Sequence, residues 1–300
     1  MKESPYFSVI IPTYNRADLI KKTISSFLDQ TFQNYEIIVV DNDSTDHTEE
    51  VVRGFGDERI SYFKKQNEEQ AIARNFGAKK SVGGYINFFD SDDLAYPNHL
   101  QAAYDFIQHN RNVEVFHQNY EIKNSDGTIA RDPTPIHNIN RQLVNGNLLA
   151  VNGVFLKRDI ALQYPFPEDR KIVGSEDYFL WLKIAAAYPI LSNPLYTSAS
   201  LQHAQRSILN YPKEKIVLRK ELMLKYVLQD DSIIRYYGKS ISRLKSTTYF
   251  YIALHLTMLG FKKNTIHYVQ KGLRETPGFI FTKRFFTILR YFLKAQTQPE

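Results

Sequence analysis

The sequence predicts an α/β fold, with a mostly parallel sheet flanked by helices and an all-helical extension at its C-terminal end. Three observations predict it. Short apolar runs alternate with helical patterns through the N-terminal part of the chain. Clusters of aspartate close several of those runs, where ligands of a parallel sheet bind. Beyond about residue 205 the strand pattern stops and only helical periodicity continues. The expected division is therefore 1–205 and 206–300.

Each element follows from local chemistry. Ser8-Val9-Ile10-Ile11 reads as a buried strand stopped by Pro12, and Thr13-Tyr14-Asn15-Arg16 as a polar turn. Leu19, Ile20, Ile24, Phe27 and Leu28 then recur at helical spacing. Glu36 to Val40 repeats the design, passing through the acidic turn Asp41 to Asp46 into a helix that begins with Thr48 to Val52. Ile60 to Lys64 is a third strand, and Ala73 to Ala78 lie on a helix. Gly84 to Phe89 is a fourth strand, ending in Asp90-Ser91-Asp92-Asp93, with a helix starting near Pro97. Ser125 to Asn147, rich in Pro, Asn, Gly and Asp, reads as a mobile lid or acceptor loop. Asn152 to Arg158 is a turn entering a strand, and Tyr178 to Ile184 an apolar helix opened by Glu176-Asp177. Four helices follow, over Ile216 to Leu228, Thr247 to Leu259, Thr265 to Leu273 and Phe279 to Ala295.

Composition narrows the function. Cysteine is absent, which excludes disulfides and thiolate metal sites. There is no G-x-G-x-x-G, so a dinucleotide dehydrogenase is excluded, and no zinc-finger or RNP-like motif points to nucleic acid. Met1 to Pro5 leads directly into a strand without a secretory pattern, and no apolar run of about 18 residues exists. The expectation is a cytoplasmic protein, peripheral on the inner face of a membrane. The net charge of +6 hides a division: residues 201–300 hold 18 Lys and Arg against 6 Asp and Glu, whereas residues 1–200 are net acidic. In the last helix Phe281, Phe285, Ile288, Leu289 and Phe292 fall at helical spacing, flanked by Lys283, Arg284, Arg290 and Lys294. That pattern suits an anionic membrane surface, with docking on the rest of the protein as the alternative.

Three carboxylates within four residues repel one another, and burying them bare costs about several kcal/mol. A divalent cation, Mn²⁺ or Mg²⁺, shared with phosphate resolves that cost; the plainer reading is an acidic turn capping a helix. On an extended chain Asp90 and Asp92 share a face. Asp92 is then the direct metal ligand, Asp90 its partner toward metal, ribose or water, and Asp93 orients the pair or meets the donor sugar. Asp41 ends a strand where a carboxylate can accept from a pyrimidine N–H. Asp43 reads as a helix cap or a ligand contact. Arg74 clamps a diphosphate or forms a surface ion pair. Glu176 and Asp177 open a helix either because its dipole favours acids or because a general base is needed there. Trp181, one turn later, walls a sugar ring or packs in the core. His203 ligates metal or is structural.

The strings SVIIPTYNR, EIIVVDNDSTD, ARNFGA, YINFFDSDD and GSEDYFLWLK, in that order over roughly residues 6–205, resemble family 2 glycosyltransferases of the GT-A fold. The chain departs from that pattern in the acids of Asn67-Glu68-Glu69-Gln70 and in Ser200-Leu201-Gln202-His203, where Tyr-Arg-x-His is common. The resemblance implies a Rossmann-like sheet and an inverting, metal-dependent transfer from a nucleoside-diphosphate sugar, a UDP-sugar foremost. The implied acceptor is a hydroxyl of a glycan or a lipid-linked saccharide in polysaccharide synthesis. It also implies that Pro12 and Tyr14 line the base bound by Asp41, that Asp177 is the catalytic base supported by Glu176, and that Asn152 contacts acceptor. The rivals are a nucleotidyltransferase, which wants a Gly-rich phosphate loop after the first strand, and an inactive carbohydrate-binding or scaffold protein on the same fold.

Overall fold

The computed structural model describes residues 4–66, 69–124, 126–131, 133, 136–202 and 212–294. His203 lies outside the described residues. The strands are β1 (Phe7–Thr13), β2 (Tyr35–Asp41), β3 (Ile60–Lys64), β4 (Tyr85–Phe88), β5 (Leu94–Ala95), β6 (Val115–Asn124), β7 (Ile129–Arg131), β8 (Val154–Lys157) and β9 (Ile190–Gln202). They form one sheet in the order β3-β2-β1-β4-β8-β6-β9-β5, with β7 paired to β6. The first four are mutually parallel, while β8 runs antiparallel to β4 and to β6.

The chain divides into two compact units. The first comprises Met1–Ile139, Leu149–Glu168 and Tyr188–Arg206; the second Asn140–Leu148, Asp169–Ala187 and Ser207–Glu300. The division differs from a single cut near residue 205, because the segments around Asn145 and Glu176 pack with the C-terminal helices.

In the first unit, helices α1 (Ala17–Leu28), α2 (Thr48–Arg53), α3 (Gln70–Lys80) and α4 (His99–His109) connect the strands. Ile20, Ile24 and Phe27 of α1 cluster with Val9, Ile11, Ile37 and Val39. Each side chain of this kind, once buried, contributes about 1.5–3 kcal/mol. Pro12 does not stop β1, which continues to Thr13 with Pro12 opposite Val40. The reason is the ladder. Tyr6 O and Ile10 O accept from the β4 side, so Pro12 faces that side too, where β4 pairing has already ended at Ile10–Phe88. Its missing N–H therefore costs no bond. A Cβ on Gly77 would lie 2.4 Å from Ile10 Cγ2, so only glycine lets α3 approach β1 this closely. One turn earlier on that helix stands Arg74. The segment expected as a lid holds β7, the short helix α5 (Ile139–Gln142) and a 3₁₀ turn at Leu143–Asn145. Helix α6 (Arg158–Gln163) follows β8.

The second unit contains α7 (Glu176–Ala187), α8 (Lys213–Gln229), α9 (Asp231–Tyr237), α10 (Ile241–Met258), α11 (Lys262–Glu275) and α12 (Lys283–Lys294). Phe250, Ile252, Ala253 and Leu256 of α10 cluster with Tyr268, Phe279 and Ile288. The predicted final helix begins later than expected: Pro277–Phe281 is a 3₁₀ turn. Its expected apolar stripe is divided between docked and exposed residues. Ile288 is buried, Phe285 packs against the α10 cluster, and Arg284 donates to Thr247 O at 3.2 Å. Phe281 and Leu289 of that stripe, together with Phe286 and Leu293, are exposed beside Lys283, Arg290 and Lys294. Among the described residues no helix is long and apolar enough to cross a membrane.

Candidate functional site

At the carboxyl ends of the parallel strands, two loops clasp each other. Asn15, in the left-handed region at φ 49°, accepts from Thr45 N at 2.8 Å, and its own N–H donates to Ser44 Oγ at 2.8 Å. Asp46 accepts from Ala17 N and Thr48 N, both at 3.1 Å. The helix-capping role expected of Asp43 thus belongs to Asp46. Asp43 is exposed with φ 69°.

Asp41 is wholly buried. Its carboxylate accepts from Ser44 N at 2.7 Å and from the Tyr62 hydroxyl at 2.6 Å. Burial, reinforced by the Asp41 bond, pushes the Tyr62 phenol far up, so the tyrosine stays a donor. Two oxygens offer about four acceptor sites, and two are taken. Pro12 is buried, while Tyr14 is 44% exposed at the strand end and is not packed into the core.

Asp90 to Asp93 form a turn closed by Asp93 N donating to Asp90 O at 3.1 Å. The chain is not extended there, so the shared-face argument for Asp90 and Asp92 fails. Each of the two is instead held by its own arginine. Arg74, 2% exposed, donates to Asp90 at 2.6 Å and places its guanidinium 5.0 Å from the Phe166 ring. It is an ion pair whose arginine is buried and whose carboxylate is partly exposed. Gln70 adds a second bond to Asp90 at 2.8 Å. Arg16, which follows the first strand, pairs with Asp92. Asp93 is buried, accepting from Asn152 Nδ2 at 2.9 Å and Leu201 N at 3.2 Å, and its carbonyl accepts from Thr23 Oγ1 at 2.8 Å. It therefore supports the turn, and Asn152, 1% exposed, holds Asp93 instead of facing an acceptor.

Asp90 and Asp92 are hard oxygen donors, the chemistry Mg²⁺ and Mn²⁺ favour. Among the described residues no group of three acidic, His or Cys side chains is placed to hold a metal. Two carboxylates fit a cation whose remaining ligands are phosphate oxygens and water.

In the second unit Glu176 and Asp177 separate by environment. Glu176 is buried and turns back to accept from Ser175 N at 2.9 Å and from Gly174 N. Asp177 stays partly exposed, taking Asn147 Nδ2 at 2.8 Å on one oxygen and Tyr178 N at 2.7 Å on the other. Gly146, with φ 131°, turns the chain so that Asn147 reaches it. Trp181 has no exposed surface, so the core reading replaces the sugar-wall reading. Sequence reasoning missed Arg16 and Asn147. Arg16 stands within the string PTYNR that closes the first strand, but nothing in the sequence pairs it with Asp92.

The glycosyl transferase family 2 model matches residues 8–159, more than half of the chain. The chain belongs to this family. A transferase of Escherichia coli, WfgD, named UDP-Glc:alpha-D-GlcNAc-diphosphoundecaprenol beta-1,3-glucosyltransferase, is 34% identical over 178 residues, covering 59% of this chain and 68% of that protein. An uncharacterized glycosyltransferase of Rickettsia bellii is 36% identical over 189 residues, 60% of this chain; the match spans only 26% of that relative's length. The family 2 chain also resembles Staphylococcus aureus TarS 1–349 in complex with UDP-GlcNAc, with TM-score 0.63 and 17% identity, over 97% of this chain and 93% of that one. The mannosyltransferase PcManGT of Pyrobaculum calidifontis, solved with GDP-Man and Mn²⁺, gives TM-score 0.60 at 16% identity, over 97% and 86%. At such identities the likeness concerns fold, and the fold of the family 2 chain is GT-A.

Proposed function

We propose that the protein is an inverting glycosyltransferase moving a sugar from a nucleoside-diphosphate sugar, UDP-linked foremost, to a hydroxyl of a glycan or lipid-linked acceptor in polysaccharide synthesis. The observation that carries this reading is the pairing of buried Arg74 with the partly exposed Asp90 at the mouth of the parallel strands. The WfgD name, with its diphosphoundecaprenol-linked substrate, supports a lipid-linked acceptor. In the proposal Tyr14 stacks on the base and Asp41 accepts its ring N–H. Asp90 and Asp92 hold the divalent cation, which when bound supplies neutralising charge for the departing diphosphate. Arg74 and Arg16, freed from these carboxylates, turn to the diphosphate oxygens. Asp177 takes the proton of the acceptor hydroxyl as its oxygen bonds to the anomeric carbon and the carbon–oxygen bond to diphosphate breaks. One displacement inverts the centre.

Thermal shift with UDP-, GDP- and dTDP-sugars tests the reading directly. With Mn²⁺ present, a true donor at 100 times its dissociation constant adds about 2.7 kcal/mol of stability. A chain that none of these donors stabilises is not a nucleotide-sugar enzyme.

The proposal includes peripheral attachment to an anionic inner-face membrane through the exposed side of α12. Lys283, Arg290 and Lys294 each contribute about 1 kcal/mol near such a surface, so replacing all three by Gln weakens binding to anionic vesicles by roughly 150-fold. These side chains are exposed, so the fold is untouched. If the unaltered protein ignores such vesicles at low salt, α12 binds no membrane.

A further inference from the structure

Helix α8 turns Lys220 into the second unit, where 7% of its surface stays exposed. Its ammonium lies 4.6 Å from the Tyr251 ring centroid and 5.8 Å from that of Tyr178. Aromatic faces attract the charge, but they do not satisfy three N–H donors as oxygens do. Among the described residues Lys220 has neither a hydrogen bond nor a carboxylate ion pair. Its Nζ is not wholly enclosed, so water or a ligand can reach it, and perturbed cations of this kind cluster at functional sites.

The surroundings carry both signs of charge. Arg219, 1% exposed, reaches Gly174 O at 3.4 Å and the Tyr251 hydroxyl at 3.2 Å. Arg284 comes from α12, bonded to Thr247 O. From α7, Glu176 and Asp177 favour the Lys220 charge, while Arg219 and Arg284 oppose it. From α10, Tyr251 stacks on His255 at 4.1 Å, and burial lowers the His255 pKa, which favours its neutral form. Burial, helped by Arg219, pushes the Lys220 ammonium down to about 8.

We propose that Lys220, with Arg219 and Arg284, forms a subsite for a phosphate or diphosphate group beside Asp177, an assignment that rests on the glycosyltransferase reading of Asp177. A phosphate oxygen supplies the hydrogen-bond acceptor that Lys220 lacks. An acceptor that carries its sugar directly on a diphosphate presents its hydroxyl to Asp177 and its phosphates to Lys220. The diphosphate of the donor is the other source of the same chemistry.

Calorimetric titration of the full chain with inorganic pyrophosphate at pH 7 and low salt tests this. Lys220→Met weakens binding at least tenfold and raises the melting temperature, because a buried charge is removed while volume is kept. A group held only for packing gives the opposite stability change. Affinity falls as pH rises past about 8 and Lys220 loses its proton. Lys220→Arg keeps its proton and serves as the reference for ionisation of the anion itself. UDP titrated into the same variants separates the sources. Parallel loss of UDP affinity assigns the subsite to the donor; unchanged UDP affinity assigns it to the acceptor. Equal pyrophosphate binding by Lys220→Met and the unaltered protein overturns the proposal, as does no binding by the latter or a fall in melting temperature. Nucleotide-sugar stabilisation of the unaltered protein is a separate measurement, so failure of the subsite and failure of the glycosyltransferase reading are told apart.

Discussion

Replacing Asp177 by Asn lowers turnover by about 10² to 10⁴ while leaving donor affinity nearly unchanged. The asparagine keeps the shape of the side chain and removes its capacity to take a proton. Asp177 suits the task because it is the accessible member of its pair. Its oxygens meet Asn147 and a backbone N–H, neither of which can donate a competing full charge. Glu176 is buried against the Gly174-Ser175 backbone, so Glu176→Gln disturbs the start of α7 more than the proton transfer. Single-turnover kinetics with donor and acceptor decide between them. A large loss in Glu176→Gln with a mild effect in Asp177→Asn reverses the assignment. Asn147→Ala, which removes one donor that orients Asp177, lowers turnover by less.

The strands β1, β2 and β4 were legible because both of their faces are apolar and covered. Runs such as Ile37 to Val40 leave no other reading. Strands β6 and β9 were not legible, and the reason is chemical. Many of their buried positions are polar: His117, Gln118 and Asn119 in one, Thr197, Ser198 and Ser200 in the other. A network invisible in one dimension satisfies Gln118 and Thr197. His99 meets Thr197 Oγ1 at 2.9 Å, Gln118 donates to that hydroxyl at 3.0 Å, and Asn193 donates to Gln118 at 2.9 Å. Asn87 completes it toward the acidic turn, donating to Asn152 O at 3.0 Å, while Asn152 holds Asp93. Burial drives His99 down to about 3, so the ring stays neutral and its tautomer can serve these partners. Satisfied polar groups of this kind cost little in the folded protein, yet they erase the alternation by which a strand is recognised. The acids of the candidate site were legible because they cluster in sequence. Their arginine and asparagine partners were not, since Arg16 and Asn152 reach Asp92 and Asp93 only through the tertiary fold.

Replacing Asp92 by Asn abolishes Mn²⁺-dependent nucleotide binding, and the pairing with Arg16 supplies the control that gives this outcome its meaning. Two roles are open to Asp92: a ligand of the cation, or an anchor for the arginine that follows β1. Both lose function when the carboxylate goes. They part company at Arg16. If Asp92 only anchors Arg16, then Arg16→Gln and Asp92→Asn behave alike, with equal losses of UDP affinity whether or not Mn²⁺ is present. If Asp92 is the metal ligand, Arg16→Gln removes its competitor. The carboxylate is then more available, and the ratio of UDP affinity with Mn²⁺ to that without it stays the same or rises. In Asp92→Asn the ratio falls to one. The two side chains retain 12% and 23% exposure, so the ion pair is partly solvated and its loss alone leaves the fold intact. Calorimetry with UDP across a Mn²⁺ series, on the unaltered protein and both variants, reads the ratio directly. A ratio well above one that persists in Asp92→Asn removes Asp92 from the metal site and leaves Asp90, already held by Arg74 and Gln70, as the carboxylate that must carry the cation.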